Sequence, residues 1–139
     1  MAIHEMVNFN KADAPKVKSG DVLIECMIAK FDETEVFKGL TNLTVIGGNC
    51  INCVFPADTK FGGCAPEIET PNIAKNTYEL IDGRFYFASN KGKMSIKAEQ
   101  KISKTDRATL MQTVSPQIKN KQVKKLYKKE LEIAEVSRG

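Results

Sequence analysis

The sequence predicts an α+β fold with a β-rich N-terminal half, a β-hairpin and two C-terminal helices. In the first half, short β-branched segments are separated by glycine, asparagine and aspartate. Two aromatic segments flank Asp82-Gly83, and apolar residues recur at helical spacing near the C-terminus. A chain of 139 residues is expected to form one unit with a tail. We therefore divide it into a β-rich domain, residues 1–100, and a basic helical segment, residues 101–139.

The charge of the chain is unevenly distributed. Residues 101–139 contain ten Lys and Arg and four Asp and Glu, so their net charge is +6. Residues 1–100 have a net charge of −2, which gives the total of +4. A lysine-rich helix is most often a solvated face, and these lysines lack aromatic neighbours, which argues against nucleic acid as a partner. No apolar run approaches the ~20 residues that span a bilayer, and the first residues do not form a secretion signal. We expect the protein in the cytosol or in a particle assembled there, without membrane contact.

The first strands can be placed from their composition. Residues 5–20 contain Pro15 and Gly20 and predict an irregular lead-in with one edge strand. Residues 21–30 are apolar at almost every position, as in a strand with both faces covered. Residues 42–46 form a further strand that leads into a double glycine.

A short repeat organises the next part of the chain. An apolar residue, two glycines and a cysteine occur as Ile46-Gly47-Gly48-Asn49-Cys50 and again as Phe61-Gly62-Gly63-Cys64. Two arrangements fit this pattern, a small sandwich or a short β-solenoid. A solenoid repeat buries its face only against neighbouring repeats, so the short version needs a capping element or oligomer partners.

The C-terminal elements follow a proline-containing loop, residues 64–76. Residues 78–81 and 84–87 predict a β-hairpin around a two-residue type I′ turn at Asp82-Gly83, and residues 94–98 a third strand. A first helix is expected over residues 103–114, capped by Ser103 or Thr105. Ser115-Pro116 ends it and starts a second helix that reaches Val136. Its packing stripe consists of Val123, Leu126, Tyr127, Leu131, Ile133 and Ala134.

The four cysteines are candidate metal ligands. Cys50 and Cys53 have the spacing of half a zinc site, and Cys26 and Cys64 could complete four thiolates. The second pair is not closely spaced, so we interpret all four as small buried hydrophobes and expect no cofactor.

Residues typical of catalysis are few. His4, the only histidine, would be the sole imidazole base, and it lies near a terminus that we expect to be mobile. The glycine doublets neither open a helix nor precede Lys-Ser or Lys-Thr, so they match no phosphate-binding fingerprint. The sequence therefore predicts a protein that is not an enzyme.

The hairpin offers one candidate ligand site. Strand alternation places Phe85 and Phe87 on one face, where they are core residues in the simplest interpretation. If exposed, they could stack a base while nearby cations held phosphates. The residues of this nucleotide site would be Arg84, Phe85, Phe87, Asn90 and Arg107.

The segment from Phe37 to Asp58 contains Asn49-Cys50-Ile51-Asn52-Cys53, followed by Pro56 and an acidic residue. It resembles a β segment of small uncharacterised proteins of tailed phages and prophages, over about 20 residues. The resemblance implies a phage origin and a place in the virion. It assigns no function to any residue of this sequence. We expect a non-enzymatic accessory virion component of the capsid, neck or tail, a symmetric oligomer that contacts other phage structural proteins. The alternative is an anti-defence sponge that sequesters a host nucleotide signal.

Overall fold

The computed structural model describes residues 1–29, 37, 39–51, 54–56, 58–68, 72–73, 77–79, 85–87 and 100–138. Within these ranges, short strands precede the helices, which confirms the α+β class. The strands are β1 (Ile3–Glu5), β2 (Val22–Ile24), β3 (Met27–Ala29), β4 (Thr44–Ile46), β5 (Asn49–Ile51), β6 (Val54–Phe55), β7 (Lys60–Gly62), β8 (Asn72–Ile73), β9 (Thr77–Glu79) and β10 (Phe85–Phe87). The helices are α1 (Lys104–Val114), α2 (Lys121–Leu126) and α3 (Lys128–Arg138).

The chain winds through two parallel sheets, and each winding, which we call a coil, stacks on the one before it. The first has the order β1-β2-β4-β7 and the second the order β3-β5-β8. Their registers align Ile3, Val22, Thr44 and Lys60 in the first sheet, and Met27, Asn49 and Asn72 in the second. Each coil passes from the first sheet to the second, so this half of the protein is a short β-solenoid, one of the two predicted arrangements.

The first three coils turn between the sheets at the same register position. Met6, Glu25 and Gly47 follow aligned strands, and all have positive φ, at 53°, 54° and 62°. Their amides continue the ladder, since each donates to the next coil at 2.9 Å, to Ile24 O, Ile46 O and Gly62 O respectively. The left-handed backbone therefore recurs at the corner of each of these three coils, although only the third coil has glycine at that position.

Alternate residues of the first sheet face two different cores. Leu23, Val45 and Phe61 point into the solenoid, where the Phe61 ring lies edge-on to Phe55 at 5.2 Å. Val22, Ile24 and Ile46 point outward against the helices. The predicted coverage of both strand faces is confirmed over Val22–Ile24, whereas Met27, further along the predicted strand, is exposed.

The hairpin pairing is present next to the solenoid. β9 and β10 are antiparallel, and β10 also pairs with β6. Glu79 lies opposite Phe85, whereas an unbulged two-residue turn would place it opposite Tyr86, so the register differs by one residue. The predicted turn at Asp82-Gly83 and the third strand over residues 94–98 lie outside the described residues.

The first helix matches its prediction. Ser103 is the N-cap of α1, and its hydroxyl accepts a hydrogen bond from the Asp106 amide at 3.0 Å. A 3-10 turn over Ser115–Gln117 ends it, as the Ser-Pro dipeptide indicates. The helices pack on the outer face of the first sheet through Met111, Val114, Ile118, Val123, Tyr127 and Ala134. The domain boundary at residue 100 stays a prediction.

The second predicted helix is wrong as a continuous element, because the chain divides it into α2 and α3. Asn120 is extended and caps α2, since its side chain accepts hydrogen bonds from the Gln122 and Val123 amides. Tyr127 leaves helical geometry at φ −106° and ψ 17°. Leu126 and Ile133 lie at the surface, where they are 57% and 61% exposed, so their assignment to the packing stripe is wrong. None of the described helices is both long and apolar enough to span a membrane.

Candidate functional site

The corner between β4 and β5 depends on two glycines. Gly47 and Gly48 have φ values of 62° and 82°, which L side chains rarely adopt. A Cβ atom on Gly47 would overlap the Glu25 carboxylate and the Tyr127 hydroxyl, and one on Gly48 would overlap the backbone carbonyl of Cys26. The doublet therefore lets polar groups from a neighbouring coil and from the helices approach the backbone.

Glu25 links this corner to the helical segment. Its Oε1 atom accepts a hydrogen bond from the Tyr127 hydroxyl at 2.9 Å, and its Oε2 atom accepts one from the Gly48 amide at 2.9 Å. Burial raises the pKa of Tyr127, and the adjacent Glu25 carboxylate raises it further. The hydroxyl therefore keeps its proton and acts as a donor at the break between α2 and α3.

Arg107 makes the second connection between helices and solenoid. Its Nε and Nη2 atoms donate to the two Glu130 carboxylate oxygens at 2.8 and 2.7 Å, and Nη1 donates to the Gly63 carbonyl at 2.7 Å. The residue is 4% exposed. This bidentate geometry is the strong form of the arginine–carboxylate pair, and it joins α1 and α3 to the chain after β7.

These two connections form one polar cluster, which we call the corner cluster. Its charged and hydroxyl groups hydrogen-bond to one another or to solenoid backbone, so they fix the helices on the first sheet. The corner cluster comprises Glu25, Gly47, Gly48, Gly63, Arg107, Tyr127 and Glu130.

Most residues of the corner cluster could not be predicted from the sequence. Tyr127 was expected to be buried, and a buried tyrosine hydroxyl requires a partner, which is a usable signal. Nothing in the sequence points to Glu25 as that partner, because 102 positions separate the two residues. Arg107 was expected near a nucleotide, and the structure places its donors on Glu130 and Gly63 instead.

The other predicted nucleotide ligands are only partly described. Phe85 and Phe87 lie in β10, and only the backbone of this strand is described. Arg84 and Asn90 lie outside the described residues. The proposed nucleotide site therefore stays a prediction, with Arg107 placed in the corner cluster.

The predicted zinc ligands differ in environment. Cys26 and Cys50 are buried in the solenoid interior, in agreement with their interpretation as interior thiols. Cys64 is exposed, so that interpretation is wrong for this residue, and Cys53 lies outside the described residues. Cys26 Sγ donates to the His4 carbonyl at 3.2 Å, and burial raises the pKa of this thiol to about 12. Among the described residues, no group of three or more His, Cys, Asp and Glu side chains could hold a metal ion. Cys26 therefore stays a neutral thiol near pH 7.

The N-terminus is anchored rather than mobile around His4. This residue lies in β1, and its Nε2 atom is 2.8 Å from Asp21 Oδ2. Asp21 also accepts hydrogen bonds from the Ala2 and Lys18 amides, both at 2.9 Å. Burial raises the pKa of Asp21, but the hydrogen bonds from His4, Lys18 and Ala2 outweigh it and lower the pKa below its ordinary value. The pair therefore ties the first coil to the start of the second.

An apolar groove of about 210 Å³ lies between α1 and α3, and we call it the helix groove. Ala108 and Met111 line it from α1, and Ile133 and Ala134 from α3. Val136, on the next turn of α3, is 83% exposed. The outer surface of the helical layer therefore combines a concave apolar site with protruding apolar side chains.

Comparison of the chain with protein-family models, curated protein sequences and solved structures finds no match. Its function must therefore be argued from its own residues.

Proposed function

We propose that the protein is a non-enzymatic accessory component of a bacteriophage virion, in the capsid, neck or tail, and that it works as a symmetric oligomer. Its partners are further copies of itself and other phage structural proteins. It occurs in the host cytoplasm before assembly and in the virion afterwards. The phage assignment rests on the resemblance of residues 37–58 to proteins of tailed phages.

One observation carries the structural part of the proposal. In the corner cluster, the groups best suited to chemistry are used to hold the helices on the solenoid. Arg107 donates hydrogen bonds to Glu130 and Gly63, and Tyr127 donates one to Glu25. Groups that are buried and paired in this way stabilise a rigid scaffold and are not directed at a substrate.

The open end of the solenoid gives additional support. Backbone hydrogen bonds from Val22 to Ala2 and from Met6 to Ile24 occupy one side of β1. By strand alternation, the backbone groups of Ile3 and Glu5 point to the other side, where no described strand pairs with them. An unpaired strand edge is a template for association with another chain, which suits a protein that assembles.

The alternative function, sequestration of a host nucleotide, has less support. Arg107 is the one predicted phosphate ligand whose side chain is described, and its donors face Glu130 and Gly63. A nucleotide would have to displace a buried bidentate ion pair, which costs more than binding a free guanidinium.

Mass spectrometry of gradient-purified phage particles tests the proposal. The chain should co-sediment with particles at a constant copy number, and native mass spectrometry of the isolated protein should show an oligomer without added mass. Absence from particles would contradict the virion role. A retained mass of a few hundred daltons, with a gain in thermal stability on adding a nucleotide, would favour the sponge.

A further inference from the structure

One exposed side of α3 carries a lysine followed by two apolar side chains. Lys129, Ile133 and Val136 are spaced by four and three residues, so they lie on one side of the helix, and all are exposed. This side is distinct from the buried side that carries Tyr127 and Ala134. We call Lys129, Ile133 and Val136 the α3 stripe.

The charges beside the α3 stripe are separated along the helix. Lys128 and Lys129 lie in the first turn, whereas Glu132 and Glu135 lie in the second half. All four are exposed. The remaining acidic residue of α3, Glu130, is paired with Arg107 on the groove side. The outer surface of α3 is therefore basic at its N-terminal end and acidic towards its C-terminal end.

Such a helix is complementary to a second copy of itself in the antiparallel orientation. Lys129 of one copy then lies beside Glu132 of the other, and the two helix macrodipoles are opposed favourably. In a parallel orientation like charges would meet. The two-fold arrangement also brings Val136 of each copy towards the apolar surface of the other, next to the helix groove.

We propose that the α3 stripe and the helix groove form an isologous interface at which two copies of this chain pair with antiparallel α3 helices. This inference deepens the proposed function and rests on its claim that the protein is a symmetric oligomer. Ile133 and Val136 supply the apolar contact, and the lysine and glutamate pairs fix the orientation.

The size of the surface limits the strength of this contact. An 11-residue helix is about 16 Å long, so one helix pair covers less than the roughly 800 Å² per partner that is typical of stable interfaces. The dimer is therefore expected to dissociate on dilution, and in a particle it would act together with other contacts.

Sedimentation velocity of the full chain over a concentration series tests the interface. The wild type should show a reversible monomer–dimer equilibrium. Lys129→Glu and Glu132→Lys should each raise the dissociation constant at least about tenfold, because each places like charges across the two-fold axis. Ile133→Asp should have a similar effect, and Lys11→Glu, a charge change in an exposed N-terminal loop residue, should have none.

Mixing the two charge variants provides the decisive measurement. One variant then carries only acidic groups at positions 129 and 132 and the other only basic groups, so an equimolar mixture should form a heterodimer with nearly wild-type affinity. Circular dichroism of each variant checks that it is folded. A mixture that stays monomeric, a wild type that stays monomeric at its highest soluble concentration, or a dimer insensitive to all three substitutions overturns the interface.

The outcomes also separate this inference from the proposed function. Particles that contain the chain, together with a monomeric isolated protein, would remove the α3 interface and keep the virion role. An α3 dimer in a protein that is absent from particles would keep the α3 interface and remove the virion role.

Discussion

Substitution of Gly47 by alanine measures how tightly the corner cluster is built. The added methyl group has to adopt φ of 62° and would overlap the Glu25 carboxylate and the Tyr127 hydroxyl. Left-handed geometry costs an L residue about 1–2 kcal/mol. Moving the two side chains apart breaks their hydrogen bond, and a bond to a charged group contributes about 1.5–3 kcal/mol. We expect Gly47→Ala to lower the free energy of unfolding by about 2.5–5 kcal/mol.

Gly20 provides a matched control for this substitution. It has φ of 87°, and an added Cβ atom would meet nothing within 4 Å. Gly20→Ala therefore includes only the backbone cost, about 1–2 kcal/mol. In a Tyr127→Phe background, the penalty of Gly47→Ala should also decrease, because one of the two overlapping atoms is absent.

Urea denaturation followed by circular dichroism gives the free energies of unfolding for these variants. The chain contains no tryptophan, so far-ultraviolet circular dichroism is preferable to fluorescence. Equal losses for Gly47→Ala and Gly20→Ala would refute the argument, because backbone strain alone would then explain both. A Gly47→Ala penalty that is unchanged without the Tyr127 hydroxyl would show that Glu25 alone limits the space.

Three further predictions use the same assays or simple labelling. Arg107→Met should cost about 3–5 kcal/mol in urea denaturation, because it leaves the Glu130 carboxylate without its partner; Glu130→Leu in the same chain should recover part of this loss. The pKa of Asp21 is lower in the folded state, so its contribution is complete above its ordinary value of 3.8 and is lost as the pH falls below it. In acid titrations, Asp21→Asn should therefore flatten the decrease in stability below about pH 4. Iodoacetamide at pH 8 should alkylate exposed Cys64 in the folded protein, whereas Cys26, buried and with a pKa of about 12, should react only after unfolding, as read by peptide mass spectrometry.

Each of these has a result that would contradict it. An Arg107→Met variant as stable as the wild type would show that the ion pair adds nothing over an apolar contact. An unchanged acid transition in Asp21→Asn would show that a group other than Asp21 causes the loss of stability in acid. Equal labelling of Cys26 and Cys64 in folded protein would mean that the solenoid interior opens readily.

Local patterns predicted β4 and the first helix, because both depend on residues close in sequence. The single strand expected over residues 21–30 is wrong, since the chain turns at Glu25 between β2 and β3. The glycine doublet at Gly47-Gly48 indicated a turn, and Ser103 indicated a helix start. The corners at Met6 and Glu25 could not be predicted, since their positive φ is imposed by stacking on the next coil rather than by residue type. Propensity alone would place neither residue in a left-handed turn.

The helical segment shows how tertiary contacts override a local pattern. Spacing of apolar residues predicted one helix, but the Glu5 carboxylate accepts hydrogen bonds from the Lys119 and Asn120 amides and holds the chain in an extended turn. That contact joins residues more than a hundred positions apart. Ile133 is 61% exposed, so periodicity alone assigns to the core a residue of the surface that we propose for dimerisation.

The attachment of the helices also determines how the solenoid unfolds. Repeat arrays unfold piecemeal when each unit contacts only its neighbours, and the end units fray first. Here the helical segment is hydrogen-bonded to Glu5 in the first coil, to Glu25 in the second and to Gly63 after the fourth strand of the first sheet. Loss of either end coil therefore removes hydrogen bonds that hold the helical segment in place. We expect the array to unfold as one cooperative unit, with amides that exchange with solvent together.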